Sequence, residues 1–203
     1  MQNRFPLFKI LILVTILAVP GFLYYLLQAK GKNRYKPLPV YGPKELTGTF
    51  TSRKGKKIPD TLYHQVADLT ALSQDSTLFK LADIEKKIVI LNLFDAANPP
   101  LTKMSYEKID WLFKEYSDND LLRFVSLNVN PDVSLAQVGA FAVQHGGELA
   151  KRDFLLADTA VVFPFAKDQL FINAFYADSS VTYSDKLVLL DADHRIRGYY
   201  SST

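Results

Sequence analysis

The sequence predicts an α/β domain, a mixed central sheet with helices on both faces, preceded by one transmembrane helix. Three observations carry this. Ile10–Leu27 is an 18-residue run without a charge. Two strand-then-helix units follow, near 87–116 and 124–145, and an antiparallel pair closes the chain near 187–200. Strand, helix, strand, helix and hairpin is the order of a mixed sheet whose helices cover both faces.

The apolar run is long enough for a span, since about 20 residues cross a bilayer core. Leu7 and Phe8 extend it past Lys9, whose ammonium snorkels to the interface. Tyr24 and Tyr25 lie near one end, as interfacial aromatics do, and Pro20-Gly21 is tolerated in a membrane helix. A cleaved leader is the alternative, but the run is long for one and no small-x-small site follows it. The reading is an uncleaved anchor over 1–29, an extended linker over 30–45 with Pro37, Pro39 and Pro43, and one domain over 46–203.

Charge is unevenly spread. Residues 1–36 hold six basic residues (Arg4, Lys9, Lys30, Lys32, Arg34 and Lys36) and no acidic one, while the remainder holds 18 basic and 21 acidic. The domain is therefore slightly acidic, which argues against a nucleic-acid surface. Arg53, Lys54, Lys56 and Lys57 around Gly55 read as a solvated turn or as a contact for anionic lipid headgroups. The four basic residues after the span outnumber Arg4 and Lys9 before it, which by itself puts the domain in the cytoplasm. The chain has no cysteine, so disulfides, thiolate nucleophiles and cysteine metal sites are excluded together.

Along the domain, Thr47 to Asp60 reads as a hairpin turning at Lys54-Gly55-Lys56, and Val66 to Leu72 as a strand. Residues 87–93 read as a strand that after Lys87 is apolar on both faces except for Asn92, as in a central strand covered on each side. A helix is expected from Leu101 to Tyr116, with Met104, Ile109, Leu112 and Phe113 on its core side and Trp111 on a neighbouring arc. Phe124–Val129 is a second core strand, and Leu135–His145 a helix stopped by Gly146-Gly147. Phe154–Leu156 reads as a short strand, and Val162–Leu170 as a helix interrupted near Pro164. Leu187–Leu190 and Arg195–Tyr200 pair through a turn in which His194 takes a place suited to glycine.

These residues resemble the Sco/SenC family of thioredoxin-like proteins, membrane-anchored copper-binding factors of cytochrome c oxidase assembly. The family pattern is a core strand, a turn, then Cys-Pro-x-x-Cys-Pro-x-Met opening a helix. Ala97-Asn98-Pro99-Pro100-Leu101-Thr102-Lys103-Met104 aligns to it without gaps, with Ala97 and Leu101 at the two cysteine positions and Met104 matching. Arg123-Phe124-Val125-Ser126 running to Asn130-Pro131 is similar to the next family strand. Asp191-Ala192-Asp193-His194-Arg195-Ile196-Arg197-Gly198-Tyr199-Tyr200 is similar to its C-terminal hairpin. The family histidine stands eight residues before that hairpin's first Asp, where this chain has Tyr183. Pro39-Val40-Tyr41-Gly42-Pro43 and Tyr63-His64 resemble the bacterial branch with an N-terminal hairpin.

The resemblance implies a thioredoxin-like domain with an N-terminal β-hairpin extension, on the extracytoplasmic side of the inner membrane. That side is opposite to the one the flanking charges favour. It also implies that all three copper ligands are replaced, by Ala97, Leu101 and Tyr183. No catalytic or cofactor-binding residue is therefore expected, and no cofactor. Other donors are His64, His145, His194, Met104 and Asp95, but none of the histidines has ligand spacing and Met104 reads as core. Three functions follow: a non-catalytic binding or assembly factor, a copper metallochaperone using relocated ligands, or an oxidoreductase without cysteines of its own. Expected partners are the lipid bilayer, and respiratory oxidase subunits or an intact Sco-like paralogue.

Overall fold

The computed structural model describes residues 7–31, 37–53, 55–97, 99–147, 151–177 and 180–202, and of Leu7, Arg53, Lys56, Pro99 and Leu101 the backbone alone. Arg4, Lys32, Arg34, Lys36, Lys54 and Asn98 lie outside the described residues. The chain divides into two compact units, Met1–Pro37 and Leu38–Thr203. The first is built on α1 (Leu7–Lys30), 24 residues with Pro20 inside it. At 1.5 Å per residue it is about 36 Å long. Phe8–Lys30 is long and apolar enough to cross a membrane, or to serve as a signal sequence.

The second unit begins with a separate two-stranded hairpin, β1 (Lys44–Arg53) and β2 (Lys56–Tyr63). Then come β3 (Thr70–Ser73), β4 (Leu78–Lys80), β5 (Ile88–Phe94), α2 (Pro99–Glu115), β6 (Leu122–Asn128), α3 (Leu135–Gln144) and β7 (Arg152–Leu156). The chain ends with α4 (Thr159–Pro164), β8 (Ala174–Ala177), β9 (Ser180–Tyr183), β10 (Lys186–Leu190) and β11 (Ile196–Ser201). Seven strands form one sheet in the order β11-β10-β5-β6-β7-β3-β4. The pairs β5–β6 and β6–β7 are parallel, and the other neighbours are antiparallel.

The two faces of β5 explain its nearly unbroken apolar run. Val89, Leu91 and Leu93 join a core with Val125, Leu127, Leu155, Phe165 and Val188. Ile90 and Phe94 join another with Tyr106, Ile109, Phe113, Val138 and Phe154, under α2 and α3. Asn92 falls on this second face and is only 5% exposed. Its cost is met by bonds: Ser126 Oγ donates to Asn92 Oδ1 at 2.8 Å, and Asn92 Nδ2 donates to the Tyr106 hydroxyl at 3.3 Å.

Two expectations need correction, and two features were not expected. Residues 66–69 are not strand, because their backbone groups bond to other loops: Val66 N–H donates to His194 O and Leu69 O accepts from Leu81 N–H. Met104 is not core but 62% exposed. The buried arc of α2 is Thr102, Tyr106, Ile109 and Phe113, and Met104, two residues from Thr102 and Tyr106, points away at about 200°. Trp111, seven residues on, shares its outward arc and is 63% exposed. The β8–β9 hairpin and β4 are additional elements, short enough to escape a reading by periodicity.

The helix near 162–170 starts earlier, at an N-cap where Asp158 Oδ1 accepts from Ala160 N–H at 2.8 Å. After Pro164 it widens into a π-turn over Phe165–Gln169, in which Leu170 N–H donates to Phe165 O. α3 carries a full capping box, Ser134 with Gln137, and ends at Gly146 with φ +74°. His194 adopts φ +55°, the left-handed conformation its turn demands.

Candidate functional site

The carboxyl ends of β5 and β6 meet the start of α2, and a set of short hydrogen bonds fixes the junction. Asp95 is 5% exposed. Its Oδ1 accepts from Ala97 N–H at 2.8 Å and from Asn130 Nδ2 at 3.0 Å. The Thr102 hydroxyl donates back to Asp95 O at 2.9 Å. Asn128 Oδ1 accepts from Ala96 N–H at 3.3 Å, and Asn128 Nδ2 donates to Asn130 O at 2.8 Å. α2 then opens at Pro99, where a missing N–H costs nothing. Asp95 therefore acts as the clamp of a turn. Its carboxylate is already engaged twice.

Tyr183 reaches this junction from the end of β9, more than 80 residues away in sequence. Its hydroxyl lies beside the Thr102 side chain and Asp95. Burial pushes the phenol above its ordinary range and the Asp95 carboxylate adds to this, against the Thr102 hydroxyl. So the three positions singled out in the sequence converge in part. Ala97 is exposed on the turn, Tyr183 packs beside that turn, and the Leu101 side chain lies outside the described residues. A cavity of about 470 Å³ adjoins the junction between α2 and α3, lined by Ala96, Lys103, Phe141 and His145 among others. A larger one, about 570 Å³, lies at the far edge of the sheet around Gln74, Arg123 and Asp153, with none of the singled-out residues.

The three histidines stay apart, and each has a bonding partner. His64 Nε2 lies 3.0 Å from Gln169 O, with its ring against Phe171. His194 Nε2 lies 3.0 Å from Ile84 O. His145 Nδ1 meets Asp110 Oδ2 at 2.6 Å and its ring packs on Phe141 and Tyr106. Among the described residues no group of three or more His, Cys, Asp or Glu side chains is arranged to hold a metal ion.

The densest electrostatics gather around Arg152 and Asp110, neither of which stood out in the sequence. Arg152 is 2% exposed. Its guanidinium faces the rings of Tyr106, Phe113 and Phe154 at 5.1–5.5 Å. It donates to His145 O and pairs with Asp110 Oδ1 at 2.6 Å. That pair is close but not aligned as a hydrogen bond, and Arg152 Nε has no partner among the described residues. Burial pushes the Asp110 carboxyl up, but the His145 bond and the Arg152 charge outweigh it and leave it below the usual carboxylate range. Nothing in the spacing of Asp110, His145 and Arg152 announces the cluster; only Asp110, on the middle of α2, and His145, at the end of α3, hint at facing helices.

No family model matches the chain, and no curated protein matches it in sequence. Solved structures do. A SCO1/SenC family lipoprotein from Bacillus anthracis str. Ames aligns with TM-score 0.63 at 17% identity, over 68% of this chain and 85% of that one. ScoI of Bradyrhizobium japonicum, solved with copper bound, aligns with TM-score 0.59 at 13% identity, over 68% and 90%. BsSco, described as a member of the Sco family of cytochrome c oxidase assembly proteins with a disulfide switch, aligns with TM-score 0.57 at 18% identity, over 68% and 84%. The fold is thioredoxin-like. Within that class, it is the fold of Sco/SenC proteins.

Proposed function

We propose that this chain is a membrane-anchored, Sco-like binding or assembly factor for cytochrome c oxidase biogenesis, with no copper or thiol chemistry at the family ligand positions. The observation that carries this reading is the placement of Tyr183 against Thr102 and Asp95, at a junction whose other two singled-out positions are Ala97 and Leu101. Copper transfer in this fold calls for soft thiolates and an imidazole. A methyl group and a leucyl side chain offer no donor atom. A half-buried phenol pushed above its ordinary range stays protonated at neutral pH and is a weak ligand. The residues present do not fit the ion.

In this reading the chain is not an enzyme. α1 anchors it in the inner membrane as a single span, the domain stands on the extracytoplasmic side, and the partners are oxidase subunits or an intact Sco-like paralogue. The relocated-ligand reading is less well supported, because the histidines lie in three separate places and Met104 stands alone on an outward helix face.

The test uses the full chain in detergent. Copper should co-purify below stoichiometry, and affinity capture should retain oxidase subunits or the paralogue. One tightly bound copper per chain, lost in His64→Ala, would replace this reading with relocated ligands. A sharper arm is the triple variant Ala97→Cys, Leu101→Cys, Tyr183→His, which should acquire a copper site. A folded triple variant that binds none would remove the assignment of these three positions.

A further inference from the structure

The β1–β2 hairpin stands outside the seven-stranded sheet and exposes large apolar side chains, Leu46 at 71% and Phe50 at 63%. A lone two-stranded hairpin is marginally stable in water, so such a surface calls for a cover. Both sides expose apolar side chains, Ile58 and Leu62 standing on the side opposite to Leu46 and Phe50, and the register shows which side is free of carboxylates. Lys44 pairs with Tyr63, Leu46 with Thr61, Phe50 with Pro59, and Ser52 with Lys57. Side chains alternate along a strand and cross-strand partners share a face. One face therefore carries Lys44, Leu46, Phe50, Lys57 and Pro59, and no carboxylate.

Both acidic residues of the hairpin are on the other face. Glu45 pairs with Leu62 there. Asp60 alternates with Pro59 and takes the Thr49 and Thr51 hydroxyls on its carboxylate. In sequence, residues 44–63 hold five basic residues and two acidic ones. An apolar strip flanked by lysines and free of carboxylates matches an anionic phospholipid surface, with chains for the ring and headgroups for the ammoniums. It matches a protein partner less specifically. The base of the hairpin is held to the domain, with Arg195 5.9 Å from the Tyr63 ring. The distal part remains open.

Connectivity supplies the second observation. Thirteen residues, 31–43, separate the end of α1 from the start of β1. Of these, Leu38, Pro39 and Tyr41 are hydrogen-bonded to Arg197 and Ile196 of the domain, so only residues 31–37 are left as tether, reaching about 24 Å if fully extended, and the hairpin is the first secondary-structure element after α1 in chain order. We propose that the Leu46/Phe50/Pro59 face of this hairpin rests on the headgroup layer of an anionic bilayer, a second membrane contact beside α1. It rests on the anchor reading of α1.

The chain has no cysteine, so single cysteines can be placed at will. Phe50→Cys, Thr51→Cys and Ala82→Cys versions of the full chain would each carry an environment-sensitive fluorophore. They would be reconstituted in phosphatidylcholine vesicles with or without phosphatidylglycerol, and quenched by headgroup and shallow-chain nitroxide lipids. Position 50 should be quenched at least twofold more than positions 51 and 82 with phosphatidylglycerol present, and the excess should fall in high salt or with Lys44→Glu/Lys57→Glu. Equal quenching at all three positions, in a chain that resists alkaline carbonate extraction, would overturn the proposal and leave the anchor reading intact. Extraction of the chain by carbonate would overturn the anchor reading and the proposal together. Quenching at position 50 that appears only after a soluble protein fraction is added would overturn it in favour of a protein partner.

Discussion

Helix α2 joins two regions that differ in kind. At its start, the β5–α2 junction is held by neutral hydrogen bonds and one clamping carboxylate, and its exposed turn residue is an alanine. At its middle, Asp110 meets a histidine and a buried arginine whose guanidinium faces three aromatic rings. The place where the resemblance puts chemistry has few reactive atoms. The place rich in ionisable atoms is a structural clasp between α2, α3 and β7. Perturbed charge here coincides with packing, and a search by charge alone would settle on the middle of the helix rather than its start.

The comparison breaks most visibly at Arg152. Arg152→Ala would leave Asp110 without its cation and open a gap among Tyr106, Phe113 and Phe154. Loss of about 2–4 kcal/mol is expected in denaturant unfolding of the detergent-solubilised chain, chiefly from the gap left among the rings, since Asp110 is partly exposed and keeps His145. A loss below 1 kcal/mol would show that the clasp holds little together. Asp95→Ala tests the other end. It removes the acceptor of Ala97 N–H and Asn130 Nδ2, and should cost about 1–3 kcal/mol, with the amides of the turn losing protection in hydrogen exchange.

The smallest effect is a pH dependence. The Asp110 carboxyl is held below its unfolded value, so its contribution is fully present above the ordinary carboxylate range near pH 4 and is lost as pH falls through its folded pKa. The acid limb of stability should therefore be shallower in Asp110→Asn than in the native chain. Parallel acid limbs would show that His145 and Arg152 do not hold that carboxyl down.

Some of this was legible in the residues, and particular elements show why. β5 and β6 were readable because a strand covered on both faces must be apolar throughout, and the lone Asn92 stood out for the same reason. α3 was readable from its Ser-x-x-Gln start and Gly-Gly end, which are local. His194 was readable because a tight turn admits few residues at positive φ. Met104 was misread, since a helix arc can be phased correctly only when the burial of Thr102 and Tyr106 is known, and a hydroxyl does not look like core. Arg152 was invisible, since its partners sit 42 residues back on α2 and at the end of α3.

What the sequence determined by itself is whatever depends on local or compositional physics. That includes an apolar helix of membrane length, the alternation of strands and helices, the capping and turn chemistry, and the absence of any thiol. What only the tertiary structure decided is which distant groups meet. Tyr183 settles on Thr102 and Asp95, the three histidines are kept apart, Arg152 is enclosed by aromatic rings, and the β1–β2 hairpin is left open on a face without carboxylates. Local rules act over a few residues along the chain, whereas these pairings follow from how the sheet brings its strands side by side.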